Sequence, residues 1–189
     1  LGTAFKDTIS VPYSIIVGNQ IIKFFDETVH TPVESTVQAE TRDMALDLRW
    51  IECKRPVVIT GGELTLEMLD LMYSTTSKFY EAPIHLKALG GIFIVDDFGR
   101  QQTTPREILN RWIVPLEKGH DFLHLHTGKK FTVPFDQLVI FSTNMMPEEL
   151  SDGAALRRLY FKILVPTPTK QNYLKLFEGA AASAELAYP

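Results

Sequence analysis

The sequence predicts an α/β fold with a largely parallel sheet. Short apolar runs rich in β-branched residues alternate along the chain with segments of helical period. One run, residues 92–95 (IFIV), is apolar throughout and follows two glycines, which is typical of a central strand buried on both faces. The helix predicted next begins with Thr104, Pro105 and Glu107, which together form a capping-box sequence.

The first third of the chain predicts strands before any long helix. Residues 13–25 predict a β-hairpin, because two β-branched and aromatic runs flank a Gly-Asn pair that tolerates a tight turn. Residues 26–47 are polar and irregular, and we expect a loop with some helix. Residues 49–60 contain short strand-like runs. Residues 61–73 predict a helix with one apolar face made by Leu64, Met68, Leu71 and Met72.

The rest of the chain continues the alternation. Pro115 is expected to end or kink the capped helix, and Gly119 to stop it. The remaining predicted elements are a hairpin over 121–135 turning near Gly128, a buried strand over 137–144, a short helix over 151–159, a strand over 160–165 (YFKILV), and a final helix over 166–177 with Tyr173, Leu174 and Phe177 inward. We expect one domain over residues 1–178 and an Ala-rich tail over 179–189.

Composition excludes several classes of protein. A net charge of −4 argues against a general nucleic-acid footprint, and nucleic acid is not indicated as a partner. The single cysteine excludes an internal disulfide framework and fits a reducing compartment. The sequence has no apolar run of the roughly 20 residues that a membrane span needs. The expected location is therefore the cytoplasm, with no membrane partner.

Polar side chains follow two of the predicted parallel strands, where ligands of open α/β sheets bind. Asp96 is the candidate Mg²⁺ ligand, since Mg²⁺ held with phosphates needs only one or two protein carboxylates. Asp97 is the candidate that orients and polarises an attacking water. Asn144 is the candidate that positions this water or touches a terminal phosphate. Arg157 and Arg158 are candidates for neutralising charge during phosphoryl transfer, from a neighbouring subunit.

The stretches GGIFIVDDFGRQ, VIFSTN and ALRRLYFKI resemble, in this order, the Walker B motif, the first sensor and the arginine-finger region of AAA+ ATPases. The resemblance covers about residues 11–177 and extends to RPVVITGGELTLEMLDL and LNRWIVPLEKG, which are similar to bacterial ring-forming members. It implies a P-loop NTPase-like three-layer sandwich, ATP and Mg²⁺ as cofactors, and a homo-oligomeric ring, usually a hexamer. It also implies hydrolysis that remodels a protein or other macromolecular partner.

Two departures from the family's pattern matter. The commoner acidic motif is Asp-Glu, whereas this sequence has Asp-Asp, so the shorter Asp97 must reach the water differently. The phosphate loop, G-x-x-x-x-G-K-[ST], is also missing. The sole Gly-Lys pair ends at Lys129 and is followed by Lys130, and the GGELTL stretch has no lysine and would repel phosphate through Glu63.

The fold is therefore expected to be incomplete at the N-terminal strand and the phosphate loop. We expect the 189 residues to be a truncated or partly resolved piece of a longer protein, and inactive alone. Assembly with another chain that supplies the missing strand is the alternative.

The sequence leaves several roles and functions open. The resemblance implies that the hairpin over 121–135 projects toward a ring pore or partner, so His126, Lys129 and Lys130 are expected to contact a protein substrate. Arg100 and Arg111 either serve a neighbouring subunit's site or pair with Asp97 or Glu107. A non-catalytic ATPase-like scaffold is the alternative function. A metal-dependent phosphohydrolase using both aspartates ranks last, because the other strand tips offer amides and hydroxyls rather than ligands.

Overall fold

The computed structural model of the chain describes residues 7–33, 47–150 and 157–185. The chain divides into two compact units, Leu1–Arg158 and Leu159–Pro189. The strands are β1 Thr8–Pro12, β2 Ser14–Val17, β3 Gln20–Lys23, β4 Trp50–Lys54, β5 Val57–Thr60, β6 Met72–Ser74, β7 Phe79–Glu81, β8 Ile92–Val95, β9 His120–His124, β10 Lys130–Pro134 and β11 Leu138–Phe141. The helices are α1 Ile84–Lys87, α2 Pro105–Arg111, α3 Ile113–Lys118, α4 Pro147–Leu150 and α5 Lys170–Ser183.

The parallel sheet has three strands in the order β11-β8-β5. β8 lies in the centre, which confirms the prediction made from its continuous apolar run. Beside it stand two antiparallel pairs, β1-β4 and β9-β10, and a mixed sheet in the order β2-β3-β7-β6. The fold is thus mixed α/β, and the predicted parallel sheet is confirmed for three strands, while most of the other pairings are antiparallel.

Both predicted hairpins are confirmed. β2 and β3 pair in a register that leaves Gly18 and Asn19 as the turn, and Gly18 has a φ of +64°. β9 and β10 pair around a turn in which Gly128 has a φ of +83°. The strand-like runs of residues 49–60 form β4 and β5.

One core cluster joins the antiparallel sheets, and a second group covers the parallel sheet. The first contains Val11, Ile22, Phe24, Cys53, Tyr80, Ala82, Leu86, Leu123, Leu125 and Val133. In the second, Phe93 of β8 meets the ring of Trp112 edge-on, with ring centroids 5.4 Å apart, and both residues are fully buried. Trp112 therefore fixes the helical layer on one face of the parallel sheet.

The predicted capped helix exists but is broken into α2 and α3 at Trp112. Its N-terminus has the full capping box: the Thr104 side chain accepts from the Glu107 N–H, and the Glu107 carboxylate accepts from the Thr104 N–H. The break lies three residues before Pro115, because proline has no N–H to donate and its ring crowds the preceding turn. Gly119 ends α3 with a φ of +67°, as predicted.

The helix predicted over residues 61–73 is wrong. This stretch contains only a single 3₁₀ turn, Glu67–Leu69, and Met72 begins strand β6. β6 pairs antiparallel with β7, and this tertiary pairing overrides the local helical pattern. Leu64 and Leu69 are fully buried, whereas Met72, assigned to the apolar helix face, is 52% exposed.

The second unit also differs from expectation. Residues 160–165 are in no strand of the described structure, and their apolar side chains are 78–91% exposed, so the predicted strand is wrong. The final helix is confirmed as α5, capped by Thr169, but Tyr173, Leu174 and Phe177 are 39–58% exposed rather than inward. α5 extends to Ser183, and the predicted boundary at residue 178 stays a prediction.

Gly91 gives a direct test of the parallel register. A Cβ at Gly91 would overlap the carbonyl oxygen of Pro56, which accepts the N–H of Ile92 at 2.9 Å. We expect Gly91→Ala to lower the free energy of unfolding by about 3 kcal/mol through overpacking, measured by urea denaturation.

Gly62→Ala is the matched control, because a Cβ there meets only Arg100 O at 3.6 Å, an ordinary contact. Equal stability of the two variants would contradict the close approach of Gly91 to Pro56.

Candidate functional site

The carboxyl ends of the three parallel strands meet at one edge. Thr60 of β5, Val95 of β8 and Phe141 of β11 are paired in register. The backbone continues the ladder past the strands, because Asp96 N–H donates to Thr60 O at 2.7 Å and Ser142 N–H donates to Val95 O at 2.9 Å. The residues that follow each strand therefore emerge side by side.

The acid pair follows the central strand directly. Asp96 and Asp97 lie in the turn after β8, and both are exposed. Asp97 has a φ of +47°, in the left-handed region that Asp and Asn tolerate better than other side chains. This backbone conformation gives a physical reason for an aspartate at position 97.

Both carboxylates are exposed and have no side-chain partner among the described residues. Neither Asp96 nor Asp97 accepts a hydrogen bond or forms an ion pair through its side chain within the described part of the chain. Exposed oxygens without protein donors are suited to a hydrated Mg²⁺ ion that also carries phosphates. The described residues gather no group of three or more His, Cys, Asp or Glu side chains for a metal, so they form no multi-carboxylate ion centre of the phosphohydrolase type.

The turn that carries the acids is anchored to β11. Phe98, which is 1% exposed, donates its N–H to Ser142 O at 2.7 Å, and its ring lies 4.6 Å from that of Phe141. The Thr143 hydroxyl donates to Phe98 O at 2.6 Å. Thr143 is therefore used to hold the acidic turn, whereas the other two polar residues after β11, Ser142 and Asn144, are exposed at this edge.

Gln101 anchors the same turn to β5, and sequence reasoning missed it. Its Nε2 amide donates to Asp96 O at 3.0 Å and to Gly61 O at 3.2 Å, and its Oε1 accepts from Gly99 N–H at 2.8 Å. These partners are backbone atoms, so the residue types around Gln101 gave no signal for them.

The two candidate arginines differ. Arg158 is half-buried and donates from Nε and Nη2 to Glu117 Oε2 of α3, at 3.0 and 2.8 Å. Arg157 is exposed and makes no side-chain hydrogen bond or ion pair to the described residues. Most of the helix predicted over 151–159 lies outside the described residues. The structure does not bring either arginine together with the acid pair.

The glycines after β5 do not form a phosphate cradle. The N–H of Gly61 donates to the Glu63 carboxylate at 2.9 Å. This amide is therefore already bonded to a carboxylate of the chain and does not donate to a bound phosphate. Hydrogen bonds from this amide and from its own N–H lower the pKa of Glu63. A carboxylate here disfavours phosphate, as the sequence predicted.

The β9-β10 hairpin is docked at its tip. His126 donates its N–H to the Tyr80 hydroxyl at 2.9 Å, its Nδ1 also contacts that hydroxyl, and its ring lies 4.5 Å from that of Tyr73. Lys130 lies 4.2 Å from the centre of the Phe122 ring, and Lys129 is exposed. Of the three residues expected to contact a substrate, His126 is thus engaged within the chain.

A buried polar cluster lies apart from the acidic edge. Arg111 donates to both Asp121 oxygens at 2.7 and 2.9 Å and reaches Asp70 at 3.2 Å, so it pairs with neither Asp97 nor Glu107. His85 Nε2 lies 3.0 Å from Asp121, and both residues are 1% exposed.

The pKa values of this cluster follow from burial and from charge. Burial lowers the pKa of His85 and outweighs the nearby Asp121 carboxylate. Burial alone would raise the pKa of Asp121, but hydrogen bonds from His85 and Arg111 bring it to about 2.

A second ionic cluster secures the end of α1. Lys87 Nζ donates to Asp26 at 2.7 Å and to Glu81 at 3.3 Å. Although burial raises the pKa of Asp26, the bonds from Lys87 and Thr28 lower it well below its usual range. His30, 1% exposed, has Nε2 2.9 Å from Lys87 O, and burial lowers its pKa.

Comparisons with known proteins add little to this geometry. Neither a scan against protein-family models nor a search of curated proteins finds a match. Among solved structures, NtrX from Brucella abortus in complex with ADP is similar, at 21% identity and a TM-score of 0.46. The match covers 70% of this chain and 31% of that chain. A likeness this distant assigns neither a family nor a ligand.

None of the described helices is long and apolar enough to cross a membrane.

Removing the Asp121 charge is expected to destabilise the fold. Asp121→Asn leaves the largely buried Arg111 guanidinium without its main counter-charge, so we expect a loss of about 3 kcal/mol in the free energy of unfolding, measured by urea denaturation. Asp70→Asn is the control, because that carboxylate is 58% exposed and its pair should contribute at most about 1 kcal/mol. The reverse order of these two losses would contradict the arrangement.

Stability is expected to fall as the pH drops below 6.5. His30 and His85 have lowered pKa values in the folded chain, so the unfolded chain binds more protons below the ordinary histidine value of 6.5. Each histidine then contributes a slope of up to about 1.4 kcal/mol per pH unit. Urea denaturation from about pH 8 to about pH 5 measures this slope, and His30→Gln should reduce it. A flat profile would contradict both assignments.

Proposed function

We propose that the acidic edge of the parallel sheet is the Mg²⁺ and water side of an ATP-hydrolysing site of the AAA+ type. The observation that carries the proposal is the placement of Asp96 and Asp97. They follow the central parallel strand, expose their carboxylates without a partner among the residues that the structure describes, and stand on a turn anchored to both neighbouring strands. This is the edge at which open α/β sheets bind ligands.

The side chains at this edge have the chemistry that phosphoryl transfer needs. Asp96 would hold Mg²⁺ when the metal arrives with the nucleotide, and the ion would neutralise charge on the phosphates. Asp97 orients a water molecule and accepts its proton. Asn144, exposed after the neighbouring strand β11, positions the same water or donates its amide to a terminal phosphate.

Arg157 is the better candidate for an arginine that acts on a neighbouring subunit's site. Its side chain is exposed, whereas Arg158 is bound to Glu117 and would first have to leave a charged partner. This assignment rests on a homo-oligomeric ring, hexameric by resemblance, in which the site lies between subunits.

The remodelled partner is proposed to be a protein or another macromolecule. Lys129 and Lys130, at the tip of the β9-β10 hairpin, are the exposed cations proposed to contact it. His126 contributes by holding this tip against Tyr80 rather than by free contact with the partner.

The proposal is tested by ATP hydrolysis in the complete gene product. Asp97→Asn keeps the left-handed backbone and the side-chain size but removes the proton acceptor, so kcat should fall by ~10²-fold or more while ATP binding persists. Asp96→Asn should raise the Mg²⁺ concentration needed for activity. Turnover is measured by phosphate release, and binding by calorimetry.

Glu67→Gln is the matched control, since Glu67 is an exposed acid outside this edge. Turnover that survives Asp97→Asn unchanged would remove Asp97 from the proposed role. A wild-type protein that binds no ATP would overturn the ATPase assignment and favour the non-catalytic scaffold.

A further inference from the structure

We propose that Gln101 is a positioning residue that sets the orientation of Asp96 and Asp97 for ATP hydrolysis. The inference rests on the proposed function of the acidic edge. Gln101 contacts the backbone within the acid pair and just after it: its Nε2 donates to Asp96 O, and its Oε1 accepts from Gly99 N–H. It also bonds to Gly61 O at the end of β5.

The chemistry of these contacts requires a primary amide of this length. The carbonyls of Asp96 and Gly61 accept hydrogen bonds and need a donor, while the Gly99 N–H needs an acceptor. A carboxylate supplies no donor, and an ammonium supplies no acceptor. Glutamine supplies both from one planar group, so one side chain joins the acidic turn to the neighbouring strand.

The turn depends on such a clamp because its backbone is unusual. Asp97 has a φ of +47° and Gly99 has a φ of +110°, and a non-glycine residue in the left-handed region costs about 1 kcal/mol or more. Ser142 and Thr143 hold the β11 side of the turn through Phe98. Gln101 holds the β5 side, so its loss frees the backbone beside the acids without uncovering the buried Phe98.

Catalytic groups lose rate when their placement shifts by a fraction of an ångström to an ångström. A clamp on Asp96 O and Gly99 N–H therefore affects the reaction through the position of the two carboxylates, although Gln101 need not touch the substrate. We expect a loss in kcat with little change in the KM for ATP.

Gln101→Met and Gln101→Glu are the test variants, assayed for ATP turnover and thermal unfolding in the complete gene product. Gln101→Met removes both the donor and the acceptor at similar size, and Gln101→Glu retains the acceptor alone. The expected result is a kcat lower by ~10-fold or more in both variants, with the KM for ATP within about twofold of wild type. Gln102→Met and Gln102→Glu are the matched controls, because the adjacent Gln102 is exposed and should leave kcat unchanged.

The outcomes separate this inference from the proposed function. Wild-type turnover that Asp97→Asn abolishes but both Gln101 variants retain would overturn the role of Gln101 alone. Gln101 variants that lose activity only in proportion to their unfolded fraction would assign a stabilising role and overturn positioning. A wild-type protein without ATP turnover would overturn both proposals together.

Discussion

The parallel register of β8 with its two neighbours is the constraint on which the rest of the first unit depends. Gly91 lets the chain pass against Pro56, and the ladder then runs in step until Thr60, Val95 and Phe141 end at one level. This register sets the positions of the polar residues that follow the three strands at the acidic edge. A slip by one residue would turn Phe93 away from Trp112 and move the acid pair off the edge, so packing and site geometry are selected together.

Local sequence patterns were sufficient where local chemistry determines structure. The Gly-Asn turn, the apolar run of β8 and the capping box at Thr104 each involve residues within a few positions of one another. The local patterns gave wrong predictions where pairing with a residue distant in sequence determines the structure. Residues 72–74 pair with β7 despite their helical spacing, and residues 160–165 have high strand propensity but no strand partner in the described structure.

The residues of the candidate site also fall into those that local sequence predicted and those that depend on tertiary contacts. Asp96, Asp97 and Asn144 were predicted from residue type at strand ends, and the structure places them at one edge of the sheet. Gln101 was missed because it binds backbone atoms, which leave no trace in the pattern of side chains. The pairing of Arg111 with Asp121 was missed because it depends on a tertiary contact between the end of α2 and β9, and many acids in the sequence were equally plausible partners.

The exposed apolar stretch of residues 160–165 has a practical consequence for handling the protein. Its sequence, YFKILV, combines aromatic and β-branched side chains with one charge and no proline, the composition of segments that add to the edges of other sheets. Lys162 within the stretch and Pro166 after it act as gatekeepers, since a charge and a missing N–H both weaken stacking of strands. Because the apolar side chains of the stretch are nonetheless exposed, aggregation during expression and concentration should begin here, and further charge in this stretch is the first change to make for solubility.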